Sequence, residues 1–158
     1  MIFKDIDPSL VKSLFNYKDG DLFWKRNNKK AGCLKPTGYI VVEVNNKNMM
    51  AHRLVWMYHY GKIDSYIDHI DGNKSNNRIE NLRPATKAQN CWNKKIFSLN
   101  NTGCKGVRLR KDSGKYEVRI GINNKRIIIG SYNNLELADL VATEARDKYH
   151  REFANHGR

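Results

Sequence analysis

Cysteine is scarce in this chain, and its scarcity excludes proteins stapled by disulfides. The 158 residues include three cysteines, Cys33, Cys91 and Cys104, which lie far apart. An odd number of widely spaced cysteines indicates neither a disulfide framework nor a CxxC half-site for zinc. We therefore expect a reducing, intracellular environment.

Long apolar runs are also missing. No stretch approaches the roughly 18 to 20 apolar residues that a membrane-spanning helix needs. The start of the chain, MIFKDIDPSL, lacks the basic segment and apolar core of a secretory signal. The sequence therefore predicts a cytoplasmic protein with no membrane partner.

Acidic residues are outnumbered by basic ones. The chain has 16 Asp and Glu against 29 Lys and Arg, a formal net charge of +13, and its pI is near 9.8. Such a surplus points to a polyanionic partner, either nucleic acid or an anionic membrane face. Because no membrane segment is visible, nucleic acid is the favoured partner.

The first 60 residues predict a small mixed α/β layer. Helical spacing covers 7–17, with Asp7 as the N-cap, and an Asp-Gly turn then leads into a strand. A further strand covers 38–44, and a helix over 52–60 ends at Gly61. We expect this layer to support the segment that follows it.

The next segment predicts strand, polar loop, strand and helix. The strand YIDHI is followed by DGNKSNNRIEN, which is dense in turn-forming residues, and by a brief return strand at Leu82 and Arg83. Thr86 and Gln89 have the spacing of a capping box and begin a helix. Such a hairpin and helix can bring the end of the first strand close to the start of the helix.

The carboxyl-terminal part predicts a linker, three strands and a helix. The linker covers 96–103, the strands cover 106–110, 115–122 and 125–132, and the helix covers 135–153. The apolar stripe predicted for this helix comprises Leu137, Leu140, Val141, Ala145 and Tyr149.

Charge is unevenly distributed in this part of the chain. Residues 91–131 carry ten Lys or Arg against two acids, whereas residues 132–158 carry four against five. Alternation along the first strand puts Arg108 and Arg110 on one face and Val107 and Leu109 on the other. Two interpretations remain open, a solvated basic sheet and a sheet that offers guanidinium groups to DNA, and the concentration of arginine favours the second.

The segment around Asp68 and His69 has the residue types that phosphodiester hydrolysis requires. A histidine suits the base that activates water, because its pKa lies near neutrality. A carboxylate and an amide oxygen suit one Mg²⁺ or Mn²⁺. Asn81 and Asn90 supply amides downstream. Taken singly, each residue also fits a surface or loop role. An EF-hand is excluded because its pattern requires Gly and Glu where Asn76 and Leu82 stand.

The run AHRLVW…DHIDGNKSNNRIENLR…QN closely resembles the HNH endonucleases, in their phage homing-endonuclease branch. The resemblance implies that His69 is the general base, that Asp68 and Asn90 hold the metal ion, and that Asn81 braces the loop that orients the histidine. It also implies a weaker phosphate contact by Arg83. Asn at the family's third motif position favours oxygen ligands and Mg²⁺, and no structural zinc is expected.

The segment GVRLRKDSGKYEVRI…RIIIGSYNNLELADLVATEARDKYHREFA resembles the AP2 DNA-binding domain. That family lays a three-stranded sheet in the major groove, and Tyr116 stands at the position of an aromatic residue. Ile128 replaces a tryptophan of the plant proteins, which puts the target sequence in doubt. The DNA contacts that the resemblance implies are Lys105, Arg108, Arg110, Tyr116, Arg119 and Arg126.

The expected fold class is α+β. A ββα-metal HNH nuclease unit with amino-terminal α/β support would be joined to an AP2-like three-stranded antiparallel sheet plus helix. The domains expected are 1–95, with the metal core at about 66–95, the linker 96–103, and 104–158. The expected function is metal-dependent, site-specific cleavage of double-stranded DNA by a monomer or weak dimer, in the host cytoplasm if the protein is encoded by a phage.

One such site is expected to nick a single strand. The main alternative is a sequence-specific DNA-binding regulator whose nuclease unit is inert. A general basic or RNA-binding protein is a third alternative, but the chain lacks the aromatic motif of an RRM and any GXXG loop.

Overall fold

Two units make up the chain, Met1–Ala85 and Thr86–Arg158. The computed structural model describes residues 6–96, 100–122 and 125–157. The first residues of the segment MIFKDIDPSL, the middle of the predicted linker and the predicted turn at 123–124 therefore lie outside the described residues.

The first unit alternates short helices with two-stranded and three-stranded antiparallel sheets. β1 pairs with β2, β4 lies between β3 and β5, and β6 pairs with β7. Its elements are α1 (Pro8–Leu14), β1 (Phe15–Lys18), β2 (Asp21–Trp24), β3 (Cys33–Leu34), β4 (Ile40–Val44), β5 (Lys47–Met50), α2 (Ala51–Tyr60), β6 (Tyr66–His69) and β7 (Leu82–Ala85).

The amino-terminal helix begins where the sequence predicts but ends early. Asp7 caps α1, since its Oδ1 accepts a hydrogen bond from the Ser9 backbone N–H at 2.9 Å. The predicted continuation to Tyr17 is wrong, because the chain turns into β1 after Leu14. Phe15 is fully buried and pairs with Trp24 of β2. Packing of Phe15 in the core therefore favours a strand at 15–18, although the local spacing of apolar residues favours a helix there.

α2 is the element that carries the core under the β6–β7 hairpin. Leu54 and Val55 are fully buried on this helix, in one apolar cluster with Ile67 of β6 and Leu82 of β7. The helix ends at Gly61, whose φ of 82° is readily adopted only by glycine. Burial of Ile67 and Leu82 fixes the hairpin against α2, and the polar residues at its end are thereby held in place.

The second unit is a three-stranded antiparallel sheet covered on one face by a helix. β9 is the central strand, and α4 packs mainly against it. The elements are α3 (Lys87–Trp92), β8 (Val107–Leu109), β9 (Tyr116–Ile122), β10 (Lys125–Tyr132) and α4 (Leu135–His150), followed by a short 3₁₀ turn, Arg151–Phe153.

The face of α4 that meets the sheet differs from the predicted stripe. Leu137, Leu140 and Tyr149 are exposed, which contradicts that part of the prediction. The buried positions are Ala138, Ala142, Ala145, Arg146 and His150. Three alanines let the helix approach the sheet closely, and two polar side chains fill the remaining space, so the larger apolar residues lie outside the contact.

None of the helices in the described ranges has the length and hydropathy that a membrane span requires.

Candidate active site

The β6–β7 hairpin brings together three of the residues predicted from the sequence. In the antiparallel pairing, Asp68 lies opposite Arg83 and His69 lies opposite Leu82. Directly opposed residues project from the same face of a sheet, so the carboxylate of Asp68 meets the guanidinium of Arg83. Asp68 and His69 are both buried.

Arg83 holds the carboxylate of Asp68. Both Nε and Nη2 of Arg83 lie 3.0 Å from Oδ2 of Asp68. A buried charge is costly unless a partner compensates it, and the guanidinium provides this compensation. The pair fixes a carboxylate at the end of β6. The predicted contact between Arg83 and phosphate stays a prediction.

His69 is oriented by a residue that sequence reasoning did not select. Its Nε2 lies 3.1 Å from Oδ1 of Asn77, and both side chains are buried. Because a carbonyl oxygen only accepts, Nε2 carries the proton, and in the neutral ring the basic lone pair is on Nδ1. Asn77 therefore selects the tautomer of His69.

Burial is the main cause that lowers the pKa of His69. The hydrogen bond with Asn77 and the nearby charges of Asp71 and Asp68 oppose this effect, and Lys74 adds to it. With a pKa below its ordinary value of 6.5, the imidazole is mostly neutral at physiological pH. A neutral imidazole is the form that can accept a proton.

Two aromatic rings pack around His69. The ring of His52 lies 4.9 Å from that of His69 between centroids, and Tyr39 lies 5.6 Å from His52 and 6.1 Å from His69. Burial, followed by the neighbouring His69 and Arg53, lowers the pKa of His52 to about 3. His52 is therefore a buried, neutral ring that packs against His69.

Asn81 ties the two ends of the polar loop together. Its Oδ1 accepts a hydrogen bond from the Asp71 backbone N–H at 3.1 Å, and its Nδ2 donates to Oδ1 of Asp71 at 2.9 Å and to the Asn76 carbonyl at 2.8 Å. Burial alone would raise the pKa of Asp71, but hydrogen bonds from Asn76, Asn81 and the Asn73 N–H lower it overall. The loop that contains Asn77 is thus braced from within.

Asn90, the second predicted metal ligand, lies on α3 in the second unit. Thr86 caps this helix through the predicted capping box with Gln89, whose backbone N–H and side chain both take part. The hairpin therefore brings together Asp68 and the loop residues of the first unit, whereas Asn90 belongs to the other unit. In the described part of the chain, no three His, Cys, Asp or Glu side chains gather as a metal cluster.

One face of the sheet in the second unit carries the predicted DNA-contacting arginines. The register places Arg108 opposite Glu117, Arg119 opposite Ile128, and Arg126 opposite Gly121. Val107 and Val118, which pair with each other on the opposite face, are buried under α4. The alternation predicted for the first strand is confirmed for Arg108, which is outward, and for Val107, which is inward. It is wrong for Leu109, which was predicted to lie inward with Val107 but is exposed, because β8 ends at this residue.

Glu117 is an acid buried on this arginine-rich face. Its side chain is 2% exposed; its Oε1 accepts a hydrogen bond from Nε of Arg119, and its Oε2 lies 3.6 Å from Nη1 of Arg110. Arg110 also donates to Asp112 through Nε at 3.0 Å and Nη2 at 2.5 Å. Two carboxylates thus hold Arg110 against the sheet, while Arg108 is exposed and has no salt bridge among the described residues.

Lys105 and Tyr116 differ from the other residues implied by the AP2 resemblance. Lys105 directs its Nζ to the backbone carbonyls of Trp92, at 2.8 Å, and Lys94, at 2.5 Å. Tyr116 packs half-buried against the apolar cluster under α4. Their contacts with DNA stay predictions.

The sequence signal for Asn77 and Glu117 was weak. Asn77 lies in a loop already rich in asparagine, where composition explains every residue as turn-forming. Glu117 is one of only two acidic residues among the ten lysines and arginines of residues 91–131. Its position among so many basic residues was the one feature of the sequence that set it apart.

Comparison with known proteins identifies the family. A family model described as HNH endonuclease matches residues 49–91, which include α2, β6, β7 and the polar loop. Protein 3.8 of Escherichia phage T7 is 33% identical over 107 residues, covering 65% of this chain and 86% of the phage protein. The chain belongs to the HNH endonuclease family. The predicted enzyme class, a DNA endonuclease, is confirmed.

In other relatives, the match with this chain covers a smaller part of the relative's length. Two uncharacterized HNH endonucleases of Acanthamoeba polyphaga mimivirus, L245 and L560, are each 41% identical to this HNH endonuclease, over 80 and 88 residues. The matches cover 46% and 54% of this chain but only 24% and 44% of the mimivirus proteins. A solved structure, titled for DNA binding and cleavage by the HNH homing endonuclease I-HmuI, is 26% identical with a TM-score of 0.45, covering 54% of each chain.

The stability of this HNH endonuclease should depend on pH through His52. Its folded pKa of about 3 lies below the unfolded value of 6.5, so the unfolded state binds more protons between these values. We expect the free energy of unfolding of the first unit to be level above about pH 6.5 and to fall as the pH is lowered from there. Urea titrations at several pH values, followed by tryptophan fluorescence, measure this dependence.

The variant His52→Gln is the control, since glutamine does not titrate. Its stability should fall less steeply with decreasing pH, and the remaining slope should reflect other groups, including His69. An unchanged slope in this variant would show that His52 is not the buried titrating group.

Proposed function

We propose that this HNH endonuclease hydrolyses phosphodiester bonds of double-stranded DNA, with His69 as the general base and a divalent ion at Asp68 and Asn90. The observation that carries the proposal is the pairing of a buried, neutral imidazole with Asn77, next to a buried carboxylate at the end of β6. His69 and Asp68 each have a partner that holds the side chain, Asn77 and Arg83, which supports the roles of base and metal ligand.

His69 supplies the proton-transfer chemistry. With Nε2 donating to Asn77, Nδ1 takes the proton from a water molecule, and the resulting hydroxide attacks phosphorus in line with the leaving oxygen. The phosphorus–oxygen bond to the 3′ oxygen breaks, and that oxygen takes up a proton from solvent. The products are 5′-phosphate and 3′-hydroxyl ends.

The donor set fits a divalent ion of the kind that HNH nucleases generally use. Carboxylate and amide oxygens, such as those of Asp68 and Asn90, are hard ligands suited to Mg²⁺ or Mn²⁺. A carboxylate has enough lone pairs to accept from Arg83 and to bind an ion as well. When bound, the ion would neutralise charge on the scissile phosphate and the leaving oxygen.

Asn81 and Arg83 act as positioning residues in this proposal. Asn81 braces the loop that presents Asn77 to the imidazole, and Arg83 holds Asp68. The functional nuclease domain is proposed to be 1–95, since Asn90 on α3 contributes to the metal site. One such site nicks one strand, in a monomer or weak dimer acting in the cytoplasm of the host.

The sheet of the second unit is proposed to read DNA in the manner of AP2 domains. Arg108, Arg119 and Arg126 lie on the sheet face away from α4. Guanidinium groups suit both phosphates and the guanine edge in the major groove. Glu117 supports this proposal because it fixes the direction of Arg119, which lowers the entropy cost of ordering that side chain when DNA binds.

Supercoiled plasmid incubated with the protein tests the proposed function. We expect relaxation to the nicked circle in Mg²⁺ and none in EDTA. His69→Ala should slow cleavage by roughly 10²- to 10⁴-fold, the usual contribution of a general base, while retardation of DNA in a gel stays unchanged. A protein that retards DNA but never relaxes the plasmid would be the regulator instead.

Asn77→Ala should lower kcat and move the acid limb of its pH profile to lower pH. The hydrogen bond from Asn77 raises the pKa of His69, so its removal lowers that pKa further. We expect the rate to rise with pH through the lowered pKa and then to level off. Asn77→Gln, which keeps an amide, is the control. A lower rate with an unmoved acid limb would contradict the contact with His69.

Arg108→Ala should weaken DNA binding or relax site choice. If the side chain reads a base, we expect a cost of roughly 1 to 3 kcal/mol at one position of the site. If it contacts phosphate, the salt dependence of binding should become shallower instead. Lys148→Ala on the outer side of α4 serves as the control, and an unchanged footprint and salt slope for Arg108→Ala would remove this residue from the interface.

A further inference from the structure

A cavity in the second unit has a strongly cationic lining. Its volume is about 710 Å³, and seven lysine or arginine side chains line it, whereas no aspartate or glutamate among the described residues does. Its apolar floor includes Trp92, Ile96 and Ile120. The groove on the arginine-rich sheet face differs, because Asp112 and Glu117 belong to its lining.

The inner cations of the cavity, Lys105 and Arg146, form hydrogen bonds with neutral groups. Lys105 bonds only backbone carbonyls, and Arg146 donates to the Lys105 carbonyl, to Oγ1 of Thr143 and to Nδ1 of His156. No salt bridge to either cation occurs among the described residues. Lys105 and Arg146 also repel each other. Asp139 and Asp147 act electrostatically on Arg146 without forming a salt bridge with it, whereas no acid among the described residues acts on Lys105. A cation removed from water without an anion is costly, so the surroundings of Lys105 favour a bound anion.

A buried histidine at the cavity also lacks one partner. His150 is 7% exposed, stacks on Trp92 at 4.2 Å, and donates from Nε2 to the Gly121 carbonyl at 2.9 Å. Its Nδ1 is buried without a hydrogen-bond partner among the described residues. Burial, then Lys105 and Arg146, lower the pKa of His150. An anion nearby would reverse that effect and allow Nδ1 to be protonated and to donate.

We propose that this cavity binds a phosphate group, with the exposed Lys94 and Lys95 as its outer contacts. Three of its other lining residues, Arg108, Arg119 and Arg126, belong to the sheet face proposed to read DNA. The source of the phosphate is therefore the DNA backbone beside the bases that the sheet contacts. Only this choice of source rests on the proposed function. The site extends the DNA-binding surface to the segment after α3.

Binding of a mixed-sequence duplex to the full-length protein in EDTA, measured against salt concentration, tests the proposal. Each phosphate that the protein no longer neutralises makes the slope of log K against log salt shallower by about 0.9. We expect Lys94→Gln with Lys95→Gln to make the slope shallower by about one such step, because both lysines contact the same phosphate. Lys148→Gln, which removes one charge at an exposed position on α4, should leave the slope unchanged.

Lysine acetylation read by mass spectrometry gives a second measurement on the wild-type protein. Lys94 and Lys95 should be protected when duplex or sodium pyrophosphate is present, and Lys148 should be labelled equally in all samples. Protection by duplex and not by pyrophosphate identifies the DNA backbone as the source. Protection by pyrophosphate without any duplex binding would support a site for free phosphate and would overturn the proposed DNA-binding function.

Two results would overturn the cavity proposal. In the first, duplex binds, yet the double variant keeps the wild-type slope and both lysines are labelled as in the free protein, so the proposed function survives alone. In the second, neither duplex nor pyrophosphate changes the labelling of Lys94 and Lys95.

Discussion

The buried ion pair between Asp68 and Arg83 is the interaction on which the active-site hairpin depends. A carboxylate at 5% exposure is costly to bury, and a guanidinium, itself 14% exposed, compensates its charge across the two strands. That pairing requires the register in which Asp68 lies opposite Arg83. A slip of one residue would turn Asp68 to the other face and leave both charges buried and unpaired. Burial of Ile67 and Leu82 in the core requires the same register. The ion pair and the apolar packing therefore both favour this pairing of β6 with β7.

Asparagine side chains form the hydrogen bonds that hold the loop between β6 and β7. Asn81 binds both ends of the loop, Asn76 donates to Asp71, and Asn77 holds the imidazole of His69. An amide can donate and accept at once without adding charge. Ionised carboxylates in these positions could accept hydrogen bonds but could not donate them, and their charge would repel the DNA backbone, so neutral bracing suits a nuclease.

In the second unit, a buried acid compensates the positive charges on the sheet face. Its sheet face carries arginines close together, and like charges repel each other. Glu117 is buried and contacts both Arg119 and Arg110, and its negative charge reduces this repulsion. The cavity beside α3 has no such acid among the described residues. The difference between the two surfaces is the basis for assigning the phosphate to the cavity.

The sequence predicted where helices begin and end better than it predicted which side chains are buried. Asp7, the capping box of Thr86 and Gln89, and the stop at Gly61 depend on local hydrogen bonding and backbone freedom, and each was predicted correctly. The predicted end of α1 was wrong because Phe15 is buried in the core as part of a strand. The predicted apolar stripe of α4 was wrong because alanines, Arg146 and His150 form the contact with the sheet. Both errors arise from long-range packing, which periodicity does not contain.

Among the proposed site residues, the resemblance to HNH endonucleases pointed to Asp68 and His69, but not to the partners that orient them. Arg83 was expected to contact phosphate, and its bond to Asp68 follows from strand register rather than from any local pattern. Asn77 was hidden among similar residues. Partners of this kind become visible only when three-dimensional distances are known.

The most direct test is a titration of the protein with Mn²⁺, followed by the NMR line widths of the Asn90 side-chain amide and the His69 imidazole. A bound paramagnetic ion broadens signals from nearby nuclei. If the ion is held by Asp68 and Asn90, both signals should broaden at substoichiometric Mn²⁺, and Asp68→Asn should abolish the effect on Asn90. If the Asn90 amide keeps its line width while His69 broadens, the two ligands do not share an ion, and the proposed metal site is wrong.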